Sequence, residues 1–194
     1  MLAIFHKIDR NVHDKIIVHN HNSEGDKMEN KQQKDISEQI ARQKLKERGV
    51  EIEDIAELVM YLQNKYFPDL TIEECIESVN RVLAKREVQN AIVTGIQLDE
   101  LAEKGLLDEP LQSTIARDES LYGIDEILAF SIVNVYGSIG FTNYGYIDKQ
   151  KPGILAKLND HSNGSCHTFL DDIVGAIAAA ASSRHAHRAA HESQ

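Results

Sequence analysis

Acidic residues recur through one stretch, Asp118 to Gly175, in forms that suit chemistry. Asp118-Glu119 comes first, then Asp125-Glu126 at the head of an apolar run. Asp148-Lys149-Gln150-Lys151-Pro152 follows, and Asp171-Asp172 lies between Phe169-Leu170 and Ile173-Val174. Carboxylates embedded in apolar sequence are costly to bury without partners. Carboxylates held together repel, and a divalent cation relieves that repulsion. All-oxygen ligation suits magnesium or manganese, and magnesium also takes phosphate oxygens. The candidate ligands are therefore Asp125, Glu126, Asp171 and Asp172. Asp118 is either a further ligand or a cap for the helix that follows it.

Lys149 and Lys151 are the cations placed to face a phosphate, with Asp148 orienting a lysine or a water. His167 precedes Asp171 by one helical turn and is a candidate proton donor; a structural histidine is the rival reading. Acids near a helix start also favour the helix dipole without any ligand. Asp125-Glu126 fits that plainer role well. Asp171-Asp172 fits it less well, because its helix is expected to begin near Cys166.

The elements that must position these residues read as helices. Alanine, leucine, isoleucine and glutamate are abundant, and only three prolines occur. Apolar residues recur at helical spacing in 33–48, 51–66, 71–86 and 87–104, with Gly49 and Gly105 as stops. Thr71-Ile72-Glu73-Glu74 has the form of a capping box. A short helix is expected near 110–117 and an apolar one over 124–136. Gly137-Ser138-Ile139-Gly140 is read as a break and 144–152 as a loop. A short helix over 153–158 and an alanine-rich one over 166–183 complete the set.

The chain has 194 residues, 42% apolar, with a formal net charge of −10. That charge, without a basic patch, argues against nucleic acid as a partner. Cys75 and Cys166 make neither a disulfide framework nor a thiolate metal site, which points to the cytoplasm. Ile127 to Ile147 carries no charge and has the length of a membrane span. Its serines, asparagines and three glycines favour a buried helix plus loop instead. No glycine-rich phosphate loop, dinucleotide fingerprint or HExxH zinc motif is present.

Three ordered motifs resemble the phosphatidylglycerophosphatase A family, in its soluble Gram-positive branch that includes the low-temperature-requirement C proteins. They are Asp118-x6-Asp125-Glu126, Asp148-x-x-Lys151-Pro152 and Leu170-Asp171-Asp172-Ile173-Val174-Gly175-Ala176. The resemblance implies magnesium-dependent hydrolysis of phosphatidylglycerophosphate to phosphatidylglycerol and phosphate. Asp125, Glu126, Asp171 and Asp172 would bind the metal or poise water, and Lys151 would hold the phosphate. Gly145 and Ala129 stand where family members often carry arginine and glycine.

The expected architecture is all-α, one compact multi-helix domain of six or seven helices over 31–184. Residues 1–30 are read as an N-terminal extension and 185–194 as a polar tail. Small residues on the last helix suggest a homo-oligomer. Contact with the inner face of a membrane is the further expectation. The rival functions are a catalytically inactive helical oligomer and a membrane-associated binding protein.

Overall fold

The computed structural model describes residues 36–192 apart from 161 and 163, with side chains to 186. The chain divides after Gln33, and every described residue belongs to the second unit, Lys34–Gln194. The expected extension over 1–30 lies outside the described residues.

Among the described residues there are nine α-helices, not six or seven. They are α1 (36–47), α2 (Ile52–Gln63), α3 (Ile72–Leu83), α4 (Arg86–Glu103), α5 (Leu111–Ala116), α6 (Ile124–Val133), α7 (Ser138–Gln150), α8 (Ile154–Leu158) and α9 (Leu170–Glu192). A single 3-10 turn, Asn134–Tyr136, joins α6 to α7. The all-α class stands; the count exceeds six or seven because α7 occupies what reads as a break and a loop, while the short helices α5 and α8 form as expected.

The helix that the sequence hides is α7. Glycine inside a helix costs about 0.5–1 kcal/mol relative to alanine, and α7 contains Gly140 and Gly145. Packing offsets that cost, since Tyr144 and Ile147 are buried and α7 packs on α9. Gly140 is also required for the approach. A Cβ there would sit 2.8 Å from Val133 Cγ1 and 3.1 Å from Val133 O.

The centre of the fold is α9, which packs against α2, α3, α4, α6, α7 and α8. Every residue from Cys166 to Ser183 is buried. A helix surrounded on all sides needs no polar face, which is why the part from Ile173 to Ala181 reads as uniformly apolar. It continues past its expected end at Ser183 as far as Glu192. His185 is buried edge-on to Phe67, with ring centroids 4.9 Å apart.

The patterned helices close around this rod. The capping box at Thr71 forms, with Thr71 Oγ1 accepting from the Glu74 N–H and Glu74 accepting from the Thr71 N–H. Cys75, Val79, Val82 and Leu83 of α3 are buried. Cys75 and Cys166 are both buried free thiols. Among the described residues no helix is long and apolar enough to cross a membrane. The uncharged run from Ile127 is divided at Gly137, where φ is +72°.

Candidate metal centre

Both acid pairs fall in the first turns of their helices: Asp125-Glu126 in α6 and Asp171-Asp172 in α9. The second placement differs from expectation, because α9 begins at Leu170. The chain from Cys166 to Phe169 leads into the helix instead of forming its first turn. Two helix N-termini, each carrying partial positive charge, therefore converge on the acids and temper their repulsion.

The acids line one cavity of about 220 Å³. Asp118, Asp125, Glu126, Asp148, Lys151, Asp171 and Asp172 all face it, joined by Glu119, Ser120, Leu121, Asn159 and Thr168. The N-cap of α6 is Gly123, without a side-chain cap, so Asp118 does not serve as that helix's cap. Asp118 instead sits at the cavity wall with φ +49°.

One carboxylate oxygen each from Asp125, Glu126 and Asp172 lies within 4.8 Å of the others. Asp125 Oδ1 and Glu126 Oε2 are buried and have no hydrogen-bond partner among the described residues. Orphaned buried carboxylate oxygens are expensive. Three convergent hard oxygen donors fit a divalent cation such as magnesium or manganese. Without one, burial first and the adjacent Glu126 carboxyl second push Asp125 up to about 7. Burial and the neighbouring Asp171 charge push Asp172 up to about 8.

Lys151 stands on the opposite side of the charge balance. It is the C-cap of α7, in the left-handed region at φ +43°, and its N–H donates to Ile147 O at 2.8 Å. Its Nζ donates to Asp148 Oδ1 at 2.6 Å and Asp171 Oδ2 at 2.7 Å, and lies 3.8 Å from Asp172 Oδ1. Burial pulls the ammonium down, but Asp171 and Asp148 outweigh it and hold the group above its ordinary value. Burial likewise raises Asp171, against the pull of Lys151. A fixed cation thus stands beside a cluster of acids.

Two predicted phosphate-side residues sit elsewhere. Lys149 is exposed and does not line the cavity. His167 is buried, with Nδ1 2.9 Å from Leu158 O, and is also absent from the lining. Burial lowers its pKa, favouring the neutral ring.

Other neighbours were not singled out from the sequence. The buried Tyr144 phenol faces Asp172, and burial together with that charge raises its pKa. Tyr144 lies one turn before Asp148 on α7, a relation visible only once that segment is a helix. Thr168 is held by donating to Ile115 O at 2.7 Å.

The motifs and their convergence agree with a match to the phosphatidylglycerophosphatase A family over residues 44–187. The chain belongs to that family. It is 76% identical over 151 residues to the uncharacterized protein YutG of Bacillus subtilis, covering 78% of this chain and 91% of that protein. Among solved structures it is similar to the low temperature requirement C protein of Listeria monocytogenes, at 69% identity and TM-score 0.78. That match covers 79% of this chain and 97% of the other. A protein of unknown function from Bacillus stearothermophilus is 80% identical with TM-score 0.77, covering 78% of this chain and 94% of its own.

Proposed function

We propose that this protein is a magnesium-dependent phosphomonoesterase whose substrate is phosphatidylglycerophosphate. The observation that carries the reading is the convergence of Asp125, Glu126 and Asp172 in one cavity with Lys151. Family membership supports the substrate class.

Asp125, Glu126 and Asp172 would hold the cation, with Asp118 and Asp171 lining the same cavity. When bound, the ion supplies charge neutralisation at phosphate oxygens and a lowered pKa for water. Lys151 binds a phosphate oxygen while Asp148 and Asp171 fix its position. The attacking water gives its proton to a carboxylate of the cavity outside the ligand set, Asp118 or Asp171. Water adds to phosphorus, the glycerol oxygen leaves with a proton, and phosphatidylglycerol and phosphate are released.

Support for a lipid over a soluble ester comes from the cavity mouth. Leu121 lines the cavity and is 98% exposed, and Ile124 and Ile127 are exposed on the adjoining helix. These side chains suit the apolar part of a lipid or the surface of a bilayer, whereas a soluble sugar phosphate gains nothing from them.

The test is phosphate release from phosphatidylglycerophosphate in mixed micelles and from soluble phosphomonoesters, each with magnesium or chelator. The reading predicts magnesium-dependent release that is fastest for the lipid. Equal release with chelator refutes the metal role. Preference for a soluble ester refutes the lipid assignment.

A further inference from the structure

We propose that Asp99 is a positioning residue for this centre: from α4 it caps the start of α9 and sets where Asp171 and Asp172 stand. The inference builds on the metal-centre reading above.

Asp99 is fully buried and does not line the cavity. Its Oδ1 accepts the Phe169 N–H and its Oδ2 the Leu170 N–H, both at 3.1 Å. The first amides of a helix have no partner within it. Phe169 has no side-chain oxygen with which to cap α9, so the cap comes from a residue about 70 positions away.

The flanking contacts fix the same segment. One turn along α4, Glu103 Oε1 accepts the Cys166 N–H at 2.8 Å and pairs with Arg48 at 2.7 Å. Arg48 also donates to Cys166 O at 2.6 Å. One turn back, a Cβ on Gly95 would lie 2.9 Å from Phe169 Cβ and collide with Ile173 Cδ1. Gly95, Asp99 and Glu103 are spaced four apart and form one stripe of α4. That stripe receives the chain from Cys166 to Ile173, the lead into α9 and its first turn. Asp171 and Asp172 lie between the anchored amides and Ile173, so their backbone has little freedom to shift.

Asp99→Asn keeps the side-chain volume but turns a donor toward one of the two amides. The test compares the parent, Asp99→Asn and Val79→Ala, a core change on α3. Amide hydrogen exchange and Mn2+ binding by electron paramagnetic resonance are measured well below each melting temperature. Asp99→Asn should speed exchange at Phe169 to Asp172 while the amides of α2 and α3 stay protected. It should also weaken Mn2+ binding by about 10-fold, the usual effect of losing a group that orients a ligand. Val79→Ala should lower melting without changing Mn2+ affinity. Parent-like Mn2+ affinity in Asp99→Asn overturns the proposal, as does an equal loss in Val79→Ala. If the parent itself binds no Mn2+, the metal centre fails, and exchange at Phe169 to Asp172 alone decides the cap. Should Asp99→Asn not fold, Asp99→Ser, too short to reach both amides, must shift the same amides and the affinity in the same direction, and parent-like values overturn the proposal.

Discussion

Raising the pH should destabilise the metal-free protein, and magnesium should restore much of the loss. Asp172 and Asp99 are both raised from 3.8 to about 8, with burial the largest cause for each. An acid whose folded pKa exceeds its unfolded value binds more protons when folded. Its stabilisation is therefore complete below the unfolded pKa and is lost as pH rises through the folded one. Each pH unit in that window costs about 1.4 kcal/mol per carboxyl. Between about pH 6.5 and 8 each of the two groups removes about 2 kcal/mol, roughly 4 kcal/mol together, and Asp125, raised to about 7, adds a smaller share. His167 is lowered by burial, so its opposing contribution is complete above its ordinary value of 6.5 and does not mask the fall. For a chain of this size the melting temperature should drop by about 8–16 °C. The assay is thermal unfolding by circular dichroism in chelator across that range, repeated with magnesium. Asp172→Asn should remove about half of the fall and most of the magnesium rescue, since Asp99 lies outside the cavity. A melting temperature that stays level or climbs with pH in chelator would refute the reasoning.

Lys151→Met leaves Asp148 and Asp171 without their ammonium. It should cost about 3 kcal/mol in urea unfolding near neutral pH and abolish phosphate release. Gly95→Ala places a methyl where Ile173 and Phe169 meet α4, and an overpacked crossing should cost about 1–3 kcal/mol by the same unfolding assay. Leu121 is exposed at φ +67°, so Leu121→Gly should hold or raise the melting temperature. In kinetics that variant should slow release from the lipid while leaving a soluble phosphomonoester unaffected.

The amphipathic helices α2, α3 and α4 were legible because each has one buried and one wet face. Ile55, Val59 and Leu62 are buried on α2 as their spacing predicts. Helix α7 was not legible, because Gly140 serves a close approach to Val133 instead of a turn. The start of α9 was misplaced because Cys166, His167 and Phe169 are buried without being helical. Burial marks the core, whereas the helix boundary depends on where the amides find acceptors. Those acceptors belong to Asp99 and Glu103, which local pattern cannot connect to residues more than 60 positions away. The acids themselves were visible as charges in apolar runs. Their division of labour is legible only in part: Asp148 is expected to orient a lysine or a water, whereas the pairing of Lys151 with Asp171 appears only in the folded chain.

The most direct measurement is anomalous diffraction from crystals soaked in Mn2+. The account predicts one peak bounded by Asp125, Glu126 and Asp172, at about 2.0–2.2 Å from a carboxylate oxygen of each. It also predicts loss of that peak in Asp172→Asn. A cavity that stays without a peak at saturating Mn2+, or a peak held by other residues, would contradict it.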